Sequence, residues 1–370
     1  MTALRTGINL MWLRPGVVGG TEEYACRLLN ALSTHASPDD IELVLFALKA
    51  FGTAHADIAS RWPTAYAPVT GKNRFARVAA ESTWLGSRAR NSHVDVVHHL
   101  GGTLPANTRK PSVVALHDLQ YLAYPENFSL VKLAFLRESV PRAMRRAAVV
   151  TTLTNSVRIE LIDRFSLLPD RVIVVPYALD APTTPPDFDA PREPLFVYPV
   201  ITYPHKNHLM LLRAFAQVVA AHPEARLVLT GGEGPSEQSV RDEIVRLRLE
   251  QAVDRKGRIL RSDVDDLLAR AAAIVFPSRY EGFGLGLLEG MRAGCAAIAS
   301  NVTALPDVAG GAAVLLDPDD IDAWAAAMIS MLDDPVARAG WARRGYERSC
   351  DFTAAESADR AVAAYRLAST

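Results

Sequence analysis

Residues 274–300, IVFPSRYEGFGLGLLEGMRAGCAAIAS, constrain the fold more than any other stretch of the chain. Ile274, Val275 and Phe276 form an apolar run that reads as the end of a buried strand. Pro277-Ser278 is a turn, and Gly282-Phe283-Gly284 is a glycine loop. Leu285, Leu288 and Met291 then recur at helical spacing. Gly294 stops that helix, and Ala296 to Ala299 read as a second strand. Strand, glycine loop, helix and strand in this order make one βαβ unit, the building block of a parallel α/β sheet.

The physical use of such a unit is narrow. A glycine loop lets a ligand approach the backbone closely. The helix start behind it presents unpaired N–H groups and the positive end of a dipole, which suit a phosphate or diphosphate. Glu281 lies before the expected helix start and Glu289 within the helix. An ionised carboxylate only accepts hydrogen bonds, so sugar hydroxyls are natural partners. A diphosphate with a sugar on either side is a nucleotide-sugar. On spacing alone, a pair of glutamates at a helix start is usually a cap or a solvated face.

The pattern recurs near the amino end. Gly7 to Leu13 read as a strand, Gly19 and Gly20 close a loop, and Thr21 is the expected N-cap of a helix through Leu32. This is a second candidate phosphate-facing loop. Ser112 to Leu116 form a buried strand ending in His117-Asp118. In a parallel sheet ligands gather beyond such carboxyl ends, so His117 is a candidate for a sugar hydroxyl or a developing charge. Residues 181–194, APTTPPDFDAPREP, contain five prolines and read as a linker without regular structure. The expected organisation is a first domain over 1–180, a second over 195–353, and a closing helix over 354–370. Lys206 follows the first strand of the second domain and can reach a diphosphate as a mobile point charge.

Charge narrows the partners. The chain of 370 residues has a formal net charge of −1, which gives no argument for nucleic acid. Residues 1–180 hold 20 basic against 15 acidic side chains, whereas 181–370 hold 20 against 26. The first half is therefore suited to something anionic, such as lipid head groups or lipid diphosphates. Two basic stretches with interleaved apolar residues, 72–93 and 132–146, are either a membrane-facing surface or solvated helix faces. Three scattered cysteines, Cys26, Cys295 and Cys350, give neither a disulfide framework nor a zinc site. The amino-terminal residues do not read as a signal peptide, and no apolar run reaches 18 residues, so a cytoplasmic location is expected, with association at the inner membrane face through the first domain.

Glu281 and Glu289, separated by seven residues and preceded by Phe276-Pro277-Ser278, resemble the paired-glutamate signature of retaining GT-B glycosyltransferases, and in particular glycosyltransferase family 4. The likeness continues through Ser300-Asn301, Leu305-Pro306-Asp307-Val308 and Leu315-Leu316-Asp317-Pro318. It implies two Rossmann-like α/β domains facing each other across a cleft, with the final helix crossing back to the first domain. It implies a nucleotide-sugar donor held mainly by the second domain and a glycan or lipid-linked acceptor held mainly by the first. Residue by residue, it carries His117, Lys206 and Glu281 over as catalytic. It carries Gly19, Gly20, Thr21, Gly231, Gly257, Arg258, Ile259, Gly282, Phe283, Gly284, Leu285 and Glu289 over as donor-binding. No metal or other cofactor is implied. The companion arginine of many members is absent, with Ile201 and His205 at its usual positions.

The His-Asp-Leu, Pro-x-Lys-Asn and Val-x-x-Leu-Pro-Asp-Val elements are most similar to bacterial mannosyl- and rhamnosyltransferases of polysaccharide assembly. That favours GDP-mannose and leaves dTDP-rhamnose and UDP-hexoses open. A nucleotide-sugar epimerase would need its own acid and base carboxylates. A nicotinamide oxidoreductase would need a third glycine where Leu287 stands. Intact Glu281, Glu289 and Lys206 argue against a non-catalytic nucleotide-binding subunit.

Overall fold

The computed structural model describes residues 3–17, 19–179 and 184–370. Val18 of the first glycine loop and residues 180–183 of the proline-rich stretch lie outside the described residues. The chain forms two units: Met1–Asp180 with Phe352–Thr370, and Ala181–Asp351.

The first unit is built on seven strands: β1 (Leu4–Leu10), β2 (Ile41–Ala47), β3 (Thr64–Tyr66), β4 (Val96–His99), β5 (Ser112–Ala115), β6 (Val149–Thr152) and β7 (Val172–Val174). They pair in the order β3-β2-β1-β4-β5-β6-β7, all parallel. The β4, β5 and β6 strands are buried at every residue, as expected of a parallel sheet covered on both faces. Strand order reverses between β1 and β4, and the crevice beyond their carboxyl ends is where such sheets hold ligands.

Two boundaries differ from the sequence reading for local reasons. The β1 strand ends at Leu10 rather than Leu13. Asn9 accepts the Met11 N–H on its side chain and the Trp12 indole N–H on its carbonyl, which turns the chain. The first helix, Gly20–His35, is capped by Gly19 and not by Thr21, which sits inside its first turn. Gly19 has φ 62° and ψ −135°, a conformation available to glycine and strained for other residues.

Within the basic stretch 72–93, residues 74–91 are helical, as either reading of that stretch requires. The helix Arg74–Ala80 continues into a π-helical turn, Glu81–Leu85, and a further helix, Gly86–Asn91. Ala80, Leu85 and Ala89 are buried against Phe46, Val94 and Val97 in one core cluster. The helix Leu130–Arg146 packs Val140, Ala143 and Met144 into a second cluster with Val114, Val150 and Leu161. Between β5 and the helix Leu130–Arg146 lie the short helix Gln120–Ala123 and the 3₁₀ turn Pro125–Asn127.

The closing helix Ala354–Ser369 belongs to the first unit. Ala358, Ala361 and Ala364 are buried, and their small side chains let the helix lie close to its neighbours. Tyr365 shares a hydrogen bond of 2.9 Å with His98 Nδ1 in β4. The crossing falls at Phe352, two residues before the expected boundary, where the Leu179 N–H donates to the Phe352 carbonyl.

The second unit has six parallel strands: β8 (Glu193–Pro199), β9 (Arg226–Thr230), β10 (Val253–Gly257), β11 (Ala271–Phe276), β12 (Ala296–Ser300) and β13 (Val314–Leu316). Their order is β10-β9-β8-β11-β12-β13, so the reversal lies between β8 and β11. The β8 strand starts at Glu193, inside the stretch read as linker over 181–194. Pro194 has no N–H to give a ladder. The register of β8 with β11 shifts between Glu193↔Ala271 and Phe196↔Ala273, and that irregularity accommodates it. Among the described residues no helix is long and apolar enough to cross a membrane.

Candidate functional site

In the second unit, four loops leave the carboxyl ends of β8, β9, β10 and β11. The β8 loop leads through the 3₁₀ turn Pro204–Lys206 and Asn207, which is left-handed with φ 60°, into the helix His208–Ala221. Its position is fixed from below. The buried Tyr198 hydroxyl donates to the Lys206 carbonyl at 2.7 Å and shares a 3.0 Å hydrogen bond with Ser278. The Arg279 N–H donates to the His205 carbonyl, and the Asn207 amide donates to the Pro318 carbonyl at 2.6 Å.

These ties bring Lys206 and Glu281 together. Lys206 Nζ lies 2.6 Å from Glu281 Oε1, although 75 residues separate them in sequence. Their side chains are only 14% and 10% exposed, so the pair is largely withdrawn from water. The Glu281 N–H donates to the Thr303 hydroxyl at 3.0 Å. Thr303 holds a left-handed φ of 52°, which is strained for a β-branched residue. Neighbouring imidazoles add no charge. Burial, then Lys206 and His208, push His205 down to about 3. Burial, with Arg255 and Lys206, does the same to His208.

Beyond Glu281, Gly282 and the buried Phe283 lead to Gly284, which caps the helix Leu285–Arg292 with φ 97°. A Cβ on Gly284 would meet Leu305 Cδ2 at 2.6 Å and make that side chain shift, and the positive φ demands glycine there. Leu285 opens the helix and Glu289 is buried within it. The guanidinium of Arg261 pairs with Glu289 through Nη1 and with Asp265 through Nε.

The β9 and β10 loops meet through their glycines. The Gly231 N–H donates to the Gly257 carbonyl at 2.9 Å, and both residues have positive φ. A Cβ on Gly231 would lie 2.5 Å from the Val200 carbonyl carbon, so this loop is pressed against the β8 loop. Arg258 is exposed and lies over Gly232, and Ile259 is half-buried beside it. Arg255 organises the cluster and was not singled out from sequence. Its buried guanidinium bonds the Gly231 and Gly232 carbonyls and Glu237. Glu237 also accepts the Thr202 hydroxyl at 2.9 Å. Burial opposes ionisation of Glu237, but its bonds from Arg255 and Thr202 outweigh it and hold the carboxyl below its usual range.

In the first unit, Gly19, Gly20 and Thr21 begin the helix that follows β1. Glu22 shapes this loop: its carboxylate accepts the Gly16 N–H at 2.8 Å and pairs with His55 Nε2 at 2.8 Å. His117, beyond the end of β5, lies edge-on to Tyr24 with ring centroids 4.5 Å apart. Its Nε2 is buried without a hydrogen-bond partner, and burial lowers the imidazole to about 4. It is a neutral ring with a free polar atom. Thr21, His117 and Asp118 line a groove of about 540 Å³ walled by the helices Arg74–Ala80 and Leu130–Arg146.

The expected site residues thus fall into two groups at strand carboxyl ends, one in each unit. Within the second, Lys206, Glu281 and the glycine-opened helix form one cluster, and the Gly231–Gly257 contact forms another.

Comparisons with known proteins agree with this architecture. The model for Glycosyltransferase Family 4 matches residues 18–181, and that for Glycosyl transferases group 1 matches residues 186–348. The chain is 27% identical to O-antigen chain mannosyltransferase B of Escherichia coli over 297 residues, which is 75% of this chain and 76% of that protein. It is 22% identical to O-antigen chain mannosyltransferase RfbU of Salmonella typhimurium, over 86% of this chain and 89% of the relative. Among solved structures, HepE of Anabaena in complex with UDP and glucose superposes with a TM-score of 0.72 at 20% identity, covering 97% of this chain and 98% of the other. The chain belongs to the glycosyltransferases of the GT-B fold, a Family 4 domain followed by a group 1 domain.

Proposed function

We propose that the protein is a retaining mannosyltransferase that moves mannose from GDP-mannose to a hydroxyl of a glycan or lipid-linked saccharide. The ion pair between Lys206 and Glu281, set just before the helix that Gly284 opens, carries the reading. A bound diphosphate competes for the Lys206 ammonium and for the free N–H groups of the helix start. Glu281, released from Lys206, then accepts hydroxyls of the hexose. Glu289 takes the ribose hydroxyls in place of Arg261. Gly231, Gly257, Arg258 and Ile259 border the base, and His117 offers a neutral imidazole to the sugar.

In the reaction, the bond from the anomeric carbon to the diphosphate oxygen breaks. A bond from that carbon to the acceptor oxygen forms on the same face, and the acceptor proton passes to the departing diphosphate. Charge on the leaving group is met by Lys206 and the helix amides. Each well-placed donor of this kind contributes about 3–4 kcal/mol to the transition state. No carboxylate nucleophile and no metal has a part in this scheme. The mannosyltransferase names of the two relatives support the choice of sugar.

The test is release of nucleotide by purified protein from GDP-mannose, UDP-glucose and dTDP-rhamnose in parallel, with NMR of the transferred linkage. GDP-mannose should be turned over at least tenfold faster than the others, with an α-linked product. Glu289→Ala should abolish nucleotide binding, and His117→Ala should mainly lower turnover. Preference for another donor, or a β-linked product, would overturn the assignment.

A further inference from the structure

The groove in the first unit holds a group of cations that the transfer scheme does not use. Arg74, Arg77 and Lys132 all line it. Arg74 lies over the Phe135 ring at 4.5 Å, and Lys132 lies over the Phe128 ring at 4.7 Å. Among the described residues, no acidic side chain forms an ion pair with Arg74 or Lys132. Arg77 donates to the Trp12 carbonyl at 3.3 Å, and its Nε stands 3.8 Å from Glu81 with no hydrogen bond of its own.

The three charges are close enough to disturb one another. Burial, and then the charge of Arg77, lower Arg74. Burial, and then the charge of Arg74, lower Lys132, with Asp118 acting the other way. Two acids face the same groove. Glu81 is pushed up to about 7 by burial against the pull of Arg77, so near neutral pH it is only partly ionised and offsets at most one of the three charges. Asp118 accepts the Gln120 N–H at 2.9 Å. Like charges gathered on aromatic faces are costly unless an anion joins them.

Exposed apolar residues next to the cations in sequence point to the rest of the ligand. Phe75, next to Arg74, is 77% exposed, and Leu130 and Val131, next to Lys132, are 84% and 65% exposed. Exposed apolar side chains thus adjoin Arg74 and Lys132 on both helices.

We propose that this groove seats the phosphate or diphosphate of a lipid-linked acceptor, with Arg74, Arg77 and Lys132 as its ligands and the apolar tail leaving past Phe75, Leu130 and Val131. The inference rests on the transferase reading for the term acceptor. Its test needs no sugar donor, so the two can fail separately.

Binding of farnesyl diphosphate to the full chain is measured by calorimetry beside inorganic pyrophosphate, farnesol and phosphatidylglycerol vesicles. Farnesyl diphosphate should bind at least tenfold tighter than pyrophosphate, and farnesol should not bind measurably. Lys132→Glu and the double variant Arg74→Ala/Arg77→Ala should each lose at least tenfold, and Lys132→Arg should stay within threefold of the parent. Circular dichroism checks that each variant is folded, and if one is not, the other carries the comparison together with the parent's preference for farnesyl diphosphate over pyrophosphate and farnesol, whose absence would overturn the proposal. Equal binding by the parent and Lys132→Glu would overturn the proposal. So would binding to vesicles without binding to the soluble diphosphate, because the cations would then be a membrane patch and not a site.

Discussion

Lys206 Nζ and Glu281 Oε1 are 2.6 Å apart at the point where the second sheet reverses its strand order. One cation and one carboxylate, each assigned to a different part of the donor, neutralise each other in the free protein. Removing either partner leaves a largely buried charge alone, which typically costs 3–5 kcal/mol for a buried pair. Lys206→Met should therefore lower the unfolding free energy and slow transfer about a hundredfold or more. Glu281→Gln should slow transfer while keeping nucleotide affinity within about threefold, because the lysine remains for the diphosphate. Denaturant melts and steady-state kinetics on the two variants check this. A Lys206→Met enzyme with parental turnover contradicts the assignment.

Arg261 pairs with Glu289, the carboxylate assigned to the ribose. The arginine is half exposed and also reaches Asp265, so it can leave without stranding its own charge. Arg261→Ala should bind GDP no more than twofold more weakly than the parent, and tighter if the pair is purely competitive. Glu289→Ala should leave no measurable binding. Titration calorimetry with GDP separates the two, and a larger loss at Arg261 than at Glu289 would reverse their roles.

A scheme without a metal predicts an insensitive reaction. Transfer measured after dialysis against EDTA should stay within twofold of the rate with added magnesium. A tenfold drop that magnesium or manganese restores would place a cation on the leaving diphosphate.

The sequence exposed what is local and regular. The end of the strand Ala271–Phe276, the loop at Gly284 and the helix Leu285–Arg292 could be read because apolar residues and glycines follow one another at fixed spacing. The short edge strands β3 and β13 could not, since three residues leave no periodicity. The β10 strand was hidden because Asp254, Arg255 and Lys256 occupy an edge where charge is tolerated. The ties that position the loops were also hidden. Thr202, Glu237 and Arg255 come from three separate segments and meet only in the folded sheet. Lys206 and Glu281 were each legible as candidates, but not as a pair. Proline composition misled at Pro194, because a register shift in the neighbouring strand absorbs it.

Thr303 was not singled out from sequence, and its strained backbone serves one hydrogen bond. Its hydroxyl accepts the Glu281 N–H while φ is 52°. A residue held this way typically costs about 1–3 kcal/mol. Thr303→Ser keeps the acceptor and relieves the branched side chain, so it should melt at or slightly above the parent and retain activity. Thr303→Val keeps the branching and loses the acceptor. It should be less stable by about 1–3 kcal/mol, the penalty of an unpaired buried donor, and slower in transfer. Thermal melts and turnover of the pair decide it, and equal behaviour of Ser and Val would remove any role for the hydroxyl.

Glu81 sits in the π-helical turn Glu81–Leu85 and is 7% exposed. Burial raises its carboxyl from 4.5 to about 7, and Arg77 at 3.8 Å only partly opposes that. For an acid with a raised native value, the folded state holds its proton where the unfolded state has lost it. Stability from this group is then present at low pH and falls as pH rises from 4.5 to about 7, by about 3 kcal/mol in total. Glu81→Gln supplies a neutral group of the same shape and removes that fall. The variant should match the parent within about 1 kcal/mol at pH 5 and exceed it by about 2–3 kcal/mol at pH 8. Urea unfolding at the two pH values measures the difference. A variant less stable than the parent at pH 8 would mean that Arg77 stabilises the ionised Glu81 by more than burial opposes it, and that the groove carries its own counter-charge.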